Sequence, residues 1–284
     1  MPTPDAVTYK EVTRQQWQSA AEAWHRWEPT LRVLLGEATE VMLDLGRIGR
    51  GRRVLDVAAG AGEPALTAAR RVGPTGHVLA TDISSNILAL ADVVARAHGL
   101  DHIVETCVMD GEALELPDVS FDAVISRLGI MYFPDLPRGL AEMYRVLRPG
   151  GRAAVVVFSR PERNGFISVP VSILRQRARL APPGPGEPGP FSLSQPGVLE
   201  AAFSSAGFAD VVVRVVSATV QLRSASECLR WERESFGALH AMLAGLPQSE
   251  RDAAWDEVGT ALRHFEGPDG FAAPGELLVV GGSR

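Results

Sequence analysis

The chain has 284 residues, 46% of them hydrophobic, and a formal net charge of −6, so it can bury one large core with a smaller cap. The negative balance, uncompensated by a basic tail or arm, repels polyanions and excludes bulk nucleic-acid binding. No apolar run nears the ~20 residues of a membrane span, and Cys107 and Cys228 form no metal-type or redox-type pair.

The N-terminal stretch MPTPDAVTYKEVTRQQW lacks an apolar segment behind a basic start. The expectation is a cytoplasmic protein with reduced thiols, no metal and no membrane partner. Residues 8–46 read as two helices divided near Pro29, the first carrying Trp17, Trp24 and Trp27. The cluster Arg47, Arg50, Arg52 and Arg53 reads as a solvated loop ahead of a buried strand.

From 53 to 158 short apolar runs alternate with amphipathic stretches, the rhythm of βα units on a parallel sheet. Strands are predicted at 54–59, 78–81, 103–109, 123–126 and 153–158. Pro64 and Gly73 bracket a helix through ALTAARRV. Ser84 or Ser85 caps the next helix, which Gly99 ends. GLAEMYRVL forms a third, stopped by Arg148-Pro149-Gly150-Gly151. Beyond lie a helical piece at 166–180 and the exposed connection APPGPGEPGP. The helix VLEAAFSSAGF, one long strand DVVVRVVSATVQL, helical stretches at 225–244 and 248–265, and a last strand GELLVVGG complete the chain.

The chemistry concentrates in the loop after the first strand. Gly60-Ala61-Gly62 brings bare backbone up to a ligand, as in dinucleotide-binding and other nucleoside-binding folds. A pyrophosphate needs free N–H donors, but the loop continues into the carboxylate Glu63 and into Pro64, which has no N–H. Those two residues argue against NAD and are compatible with a ligand that has no phosphate. Asp82 stands 20 residues after Gly62 at the end of the second strand, where a carboxylate accepts hydrogen bonds from ribose hydroxyls; the plain alternative is a helix cap. Asp56 lies between apolar neighbours, a costly place for a charge unless it meets a cation such as a ligand ammonium. Asp110 ends the third strand, where with Gly111 it can reach an adenine edge or simply form a turn.

The ordered series VLDVAAGAG, LATDIS, MDGEALELP, FDAVISRLGIMYFPD and LRPGGR resembles the class I S-adenosylmethionine-dependent methyltransferases, especially the subgroup related to ubiquinone and menaquinone C-methyltransferases. The resemblance covers roughly residues 50–160, with Ala59 where Cys or Gly is frequent. It implies an α/β fold: a Rossmann-like seven-stranded, mostly parallel sheet with its last strand antiparallel, helices on both faces, and a mainly helical lid. DVVVRVV and GELLVVGG would supply strands six and seven, with the helices at 225–265 inserted between them. The corresponding division is a lid at 1–49, a cofactor-binding core at 50–160 and the remaining sheet with cap insertions at 161–284, within one compact domain. The implied cofactor is S-adenosylmethionine. Gly60 and Gly62 would line its methionine half, Asp56 would lie near its ammonium, Asp82 would bind the ribose and Ile83 would pack on the adenine. Asp110 with Gly111 would meet the adenine edge, and Ser126 and Arg127 would lie beneath the sulfonium.

The implied partner is a small-molecule methyl acceptor. Transfer requires the acceptor atom in line with the S-methyl bond, and a side-chain base only where the acceptor must lose a proton. Candidate bases are His25, otherwise a surface or packing residue, and Tyr132, otherwise a pocket wall. His77, His98, His102, His240 and His264 fall near element ends or on variable helices, without metal-ligand spacing. Trp17, Trp24, Trp27, Phe166, Phe191, Trp231 and Phe236 fall on lid segments. They either line a pocket for a hydrophobic or aromatic acceptor or glue the cap to the core. The reading is a small-molecule methyltransferase with the acceptor atom open among O, N and C. Its rivals are an NAD-dependent oxidoreductase and a non-catalytic methyltransferase-like binding protein.

Overall fold

A computed structural model describes residues 5–184 and 186–284; the first four residues of the N-terminal stretch and Pro185 of the proline-rich connection lie outside the described residues. The strands are β1 (Arg53–Val57), β2 (His77–Asp82), β3 (Val104–Val108), β4 (Phe121–Arg127), β5 (Leu147–Phe158), β6 (Ala209–Ser217), β7 (Val220–Leu222), β8 (Glu266–Gly267), β9 (Gly270–Ala273) and β10 (Glu276–Ser283). Seven of them form one sheet in the order β3-β2-β1-β4-β5-β10-β6. β10 pairs antiparallel with both β5 and β6, while β1 to β5 pair parallel. This is the sheet expected from the motif order, with the last strand reversed. β1 is buried from residue 54 to 57 and β5 from 151 to 158, because both faces of the sheet are covered there.

The helices are α1 (Ala6–Arg26), α2 (Glu28–Leu45), α3 (Ala65–Val72), α4 (Ser85–Ala97), α5 (Leu136–Val146), α6 (Gly165–Arg177), α7 (Val198–Ser205), α8 (Ala225–Ser235), α9 (Gly237–Met242) and α10 (Gln248–Leu262). Capping chemistry sets several of their ends. The Ser84 Oγ accepts the Ile87 N–H at the start of α4, and Asp135 accepts the Arg138 N–H at the start of α5. α2 lies against β5 and β10, whereas α1 crosses to α4, α8 and α9. Strand order reverses between β1 and β4, which opens a crevice at their carboxyl ends. α1 and α2 pass over that crevice.

Two expectations are corrected and one element is new. DVVVRVVSATVQL is not one strand: it breaks after Ser217, and β7 joins β8 and β9 in a separate three-stranded sheet. The break is held where the Ala218 N–H donates to the Gly275 carbonyl at 2.8 Å. A Cβ on Gly275 would come within 1.9 Å of the Ala218 oxygen, so glycine alone permits that approach. The β8–β9 hairpin was not anticipated, because its strands are too short to show alternation. The helical stretch at 225–244 divides at Phe236 into α8 and α9.

Cys107 and Cys228 are both free thiols. Among the described residues no helix is long and apolar enough to cross a membrane, and no group of three His, Cys, Asp or Glu side chains is placed to hold a metal.

Candidate active site

A long cavity with about 1180 Å³ of space, part of it open to solvent, lies over the carboxyl ends of β1, β2 and β4 and beneath α1 and α2. The loop after β1 supplies Ala58, Ala59, Gly60, Ala61 and Glu63 to its floor. Gly60 sits at φ +59°, and Ala58 and Leu128 hold positive φ at the ends of β1 and β4. Non-glycine residues in that region carry a conformational cost and cluster at binding sites.

Asp82 forms the adjoining wall. Only 7% exposed, its Oδ2 accepts the Gly60 N–H at 3.0 Å and its Oδ1 accepts the Ser84 N–H at 2.9 Å. Each oxygen keeps acceptor capacity for one further donor. Burial pushes its carboxyl up to about 6, against the backbone N–H bonds that favour the charged form. Ile83 lies next to it in the cavity wall.

At the end of β3, Asp110 and Gly111 line the same cavity. Gly111 is enforced by packing: a Cβ there would lie 2.4 Å from Phe133 Cζ and 2.8 Å from Val57 Cγ1. The Lys10 ammonium, reaching across from α1, donates to Asp110 Oδ2 at 2.7 Å and also pairs with Glu112. Glu112 is 2% exposed and accepts the Asp135 N–H at 2.7 Å. Lys10, the chain's only lysine, thus ties the start of the lid to the nucleoside end of the cavity.

Arg127 also lines the cavity. Its Nη1 donates to Thr39 Oγ1 and its Nη2 to the Glu63 carbonyl, both at 2.9 Å. One guanidinium therefore fastens β4, α2 and the glycine loop together. The far wall is aromatic: Trp17 and Trp24 lie 5.5 Å apart between ring centroids, and Tyr132 meets Trp17 edge-on at 6.0 Å. Burial, with Tyr9 and Glu232 nearby, raises the Tyr132 hydroxyl well above its ordinary value. Tyr132 therefore keeps its proton at neutral pH and can donate a hydrogen bond, but it is a poor base.

Of the residues singled out from sequence, the structure brings Gly60, Asp82, Ile83, Asp110, Gly111, Arg127 and Tyr132 into one cavity lining. Four others lie elsewhere. His25 is exposed on the outer face of α1: one residue beyond Trp24, it is turned about 100° around the helix, and it is withdrawn as a base. Gly62 does not line the cavity; at φ +110° its backbone packs where a Cβ would stand 3.2 Å from Ala91, so it serves the junction with α4. Ser126 is fully buried in β4 with its hydroxyl unpartnered among the described residues, 2.8 Å from where a Cβ on Gly129 would be. Asp56 is also fully buried outside the lining, and neither carboxyl oxygen has a partner among the described residues. Burial drives that carboxyl well above the usual range despite the pull of Arg127.

Of the seven lid aromatics, only Trp17 and Trp24 face the cavity. Trp231 stacks on Phe166 at 5.6 Å and meets Phe236 at 5.7 Å, while Trp27 lies 6.3 Å from Trp231, so these rings hold the cap together. Sequence reasoning missed Tyr9, Lys10, Thr13, Glu28 and Arg32 in the lining. The solitary lysine and the Glu28/Arg32 pair at helical spacing were the available signals.

Residues 39–171 match the ubiE/COQ5 methyltransferase family. The ubiquinone/menaquinone biosynthesis C-methyltransferase UbiE of Enterobacter sp. (strain 638) is 38% identical over 119 residues, which is 42% of this chain and 47% of that protein. The chain therefore spans about half the length of the curated relatives it matches. Among solved structures, YcgJ of Bacillus subtilis is similar with TM-score 0.58 and 20% identity, covering 88% of this chain and 98% of that one. Phosphoethanolamine N-methyltransferase 2 of Haemonchus contortus, in complex with S-adenosyl-L-methionine, is similar with TM-score 0.53 and 22% identity, covering 87% and 52%. The core therefore resembles that of the S-adenosylmethionine-dependent methyltransferases, as the motif order indicated.

Proposed function

We propose that this protein transfers the methyl group of S-adenosylmethionine to a small, apolar, ring-bearing acceptor. The observation that carries the reading is the continuity of one cavity: a buried carboxylate with spare acceptor capacity and a glycine loop at one end, and a wall of Trp17, Trp24 and Tyr132 at the other. The residues fit the cofactor. Asp82 takes the ribose hydroxyls, Gly60 and Ala61 present backbone to the methionine half, Ile83 packs on the base, and Asp110 with Gly111 meets its edge. Asp56 lies buried outside the lining beside Arg127, and no contact with the cofactor ammonium is assigned to it.

When bound, the cofactor supplies an activated methyl on a sulfonium, so the chain's task is positioning rather than bond activation. Such positioning is worth ~7–11 kcal/mol. Arg127 holds the glycine loop on α2, and the Lys10 pairings hold α1 over the cleft. The aromatic wall fixes the acceptor ring, Tyr132 can donate a hydrogen bond to a ring oxygen, and the proton that the ring carbon or hydroxyl loses on methylation leaves through the solvent-open part of the cavity. The similarity to a quinone-pathway C-methyltransferase supports a quinol-like ring, with carbon as the first acceptor atom to test. Neither the NAD-dependent oxidoreductase nor the non-catalytic reading gains support from these similarities.

The test is incubation with methyl-labelled S-adenosylmethionine and a panel of quinols, naphthols, phenols and amines, followed by mass spectrometry. The expected result is one labelled methyl group on a ring compound and a matching amount of S-adenosylhomocysteine. Tight cofactor binding with no transfer across the panel would favour the non-catalytic reading.

A further inference from the structure

The cap contains a group that cofactor binding does not use. Glu232, on α8, is 0% exposed, and neither of its carboxyl oxygens has a hydrogen-bond partner among the described residues. It is not alone: the Ser235 hydroxyl, one turn further on the same helix, and the indole N–H groups of Trp24 and Trp231 are likewise buried without partners. Unpaired buried polar groups are rare and costly, and these four lie on α1 and α8, two helices that pack against each other.

Glu232 stands behind the aromatic end of the cavity, outside its lining, with Tyr132 on one side and Cys228 on the other. Trp24, whose ring lines the cavity and packs on Phe236 at 5.8 Å, stands on α1, which packs against α8. Turning that indole breaks no hydrogen bond, since its N–H has none among the described residues. The surroundings also select the ligand's chemistry. Tyr9 and Tyr132 both keep their protons, burial holds the Glu232 carboxyl neutral well above its ordinary value, and no cation contributes to its environment. A neutral function that both donates and accepts suits this set better than an ion.

We propose that Glu232 is the specificity anchor of the acceptor subsite, hydrogen-bonding a neutral ring hydroxyl of an apolar acceptor while Ser235 and the Trp24 indole complete its pairing. The assignment rests on the methyl-transfer reading and adds to it the residue that selects a hydroxylated ring.

The experiment is isothermal titration of the full chain, with and without S-adenosylhomocysteine, using 1-naphthol and 1-methoxynaphthalene as probes. The variants are Glu232→Gln and Glu232→Leu, with Glu232→Met in place of the latter should it not fold. The wild type is expected to bind 1-naphthol at least tenfold more tightly than Glu232→Leu does, and Glu232→Gln, which still offers a hydrogen bond, to recover most of that difference. The methoxy probe, which can accept but not donate, should show a smaller difference between wild type and Glu232→Leu than 1-naphthol does, and S-adenosylhomocysteine should bind all three proteins within about twofold. Equal 1-naphthol affinity in wild type and Glu232→Leu, or no binding of 1-naphthol to the wild type, overturns the anchor. Failure of S-adenosylhomocysteine to bind the wild type instead overturns the methyl-transfer reading.

Discussion

Replacing Asp82 separates binding from folding. Its two oxygens each accept one backbone N–H, from Gly60 at 3.0 Å and Ser84 at 2.9 Å, and on this account each takes a ribose hydroxyl besides. Hydrogen bonds to a charged group are worth about 1.5–3 kcal/mol apiece. After allowance for what the hydroxyls regain from water, Asp82→Ala should weaken S-adenosylhomocysteine binding by about 2–4 kcal/mol, roughly 30- to 900-fold in Kd. The fold should survive the milder Asp82→Asn. The carboxyl stands at about 6 in the folded chain against an ordinary 3.8, so the folded state favours the protonated form. Its contribution to stability is fully present below pH ~4, falls between ~4 and ~6, and leaves a penalty of about 3 kcal/mol above that. Asn removes this penalty but turns an amide N–H toward one backbone donor, costing about 1–3 kcal/mol; the two nearly cancel at pH 8. In the wild type, cofactor affinity should fall about tenfold per pH unit below ~6, because binding requires the ionised form, and Asn should abolish that slope. Titration calorimetry at pH 5 to 8 with urea unfolding of each variant reads all of these quantities. A folded Asp82→Ala protein with unchanged affinity refutes the ribose assignment.

Lys10→Met removes the pairings to Asp110 and Glu112; because the ammonium is partly solvated, about 0.5–1 kcal/mol is at stake, and S-adenosylhomocysteine should dissociate two- to fivefold faster by stopped-flow fluorescence. Gly111→Ala drives a methyl into Phe133 and Val57, so its denaturation midpoint should drop by the equivalent of about 1–3 kcal/mol and its cofactor affinity should fall as well. His25→Ala, altering an exposed residue, should leave turnover and cofactor affinity within about twofold of wild type; a tenfold loss would restore it as a catalytic group.

The sheet was legible because its central parallel strands are buried on both faces and so read as short, mostly apolar runs with a Gly, Pro, Asp or Ser signal at their ends, whereas the largely exposed edge strand VETCV was placed by the βα rhythm. ALTAARRV became a helix with the bounds read from Pro64 and Gly73. The cofactor wall was legible for the same reason: Gly60, Asp82 and Asp110 follow strand ends whose positions the sequence marks. What escaped were contacts made across long separations. Nothing local to Lys10 indicates that it meets Asp110, and nothing in VVSATVQL marks the handover between sheets, which depends on Gly275 nearly sixty residues later. Gly62 shows the converse, since its spacing fits a ligand contact while its backbone serves Ala91. The lid aromatics were visible as a group, but only helix rotation decides that Trp17 and Trp24 face the cavity and the others face the cap.

The central claim is that this cavity holds a sulfonium nucleoside, not a dinucleotide. Isothermal titration of the wild type with S-adenosylmethionine, repeated in the presence of excess NAD, tests it directly. The account predicts saturable one-to-one binding that NAD leaves unchanged. Absence of heat with S-adenosylmethionine, or its displacement by NAD, would contradict the claim.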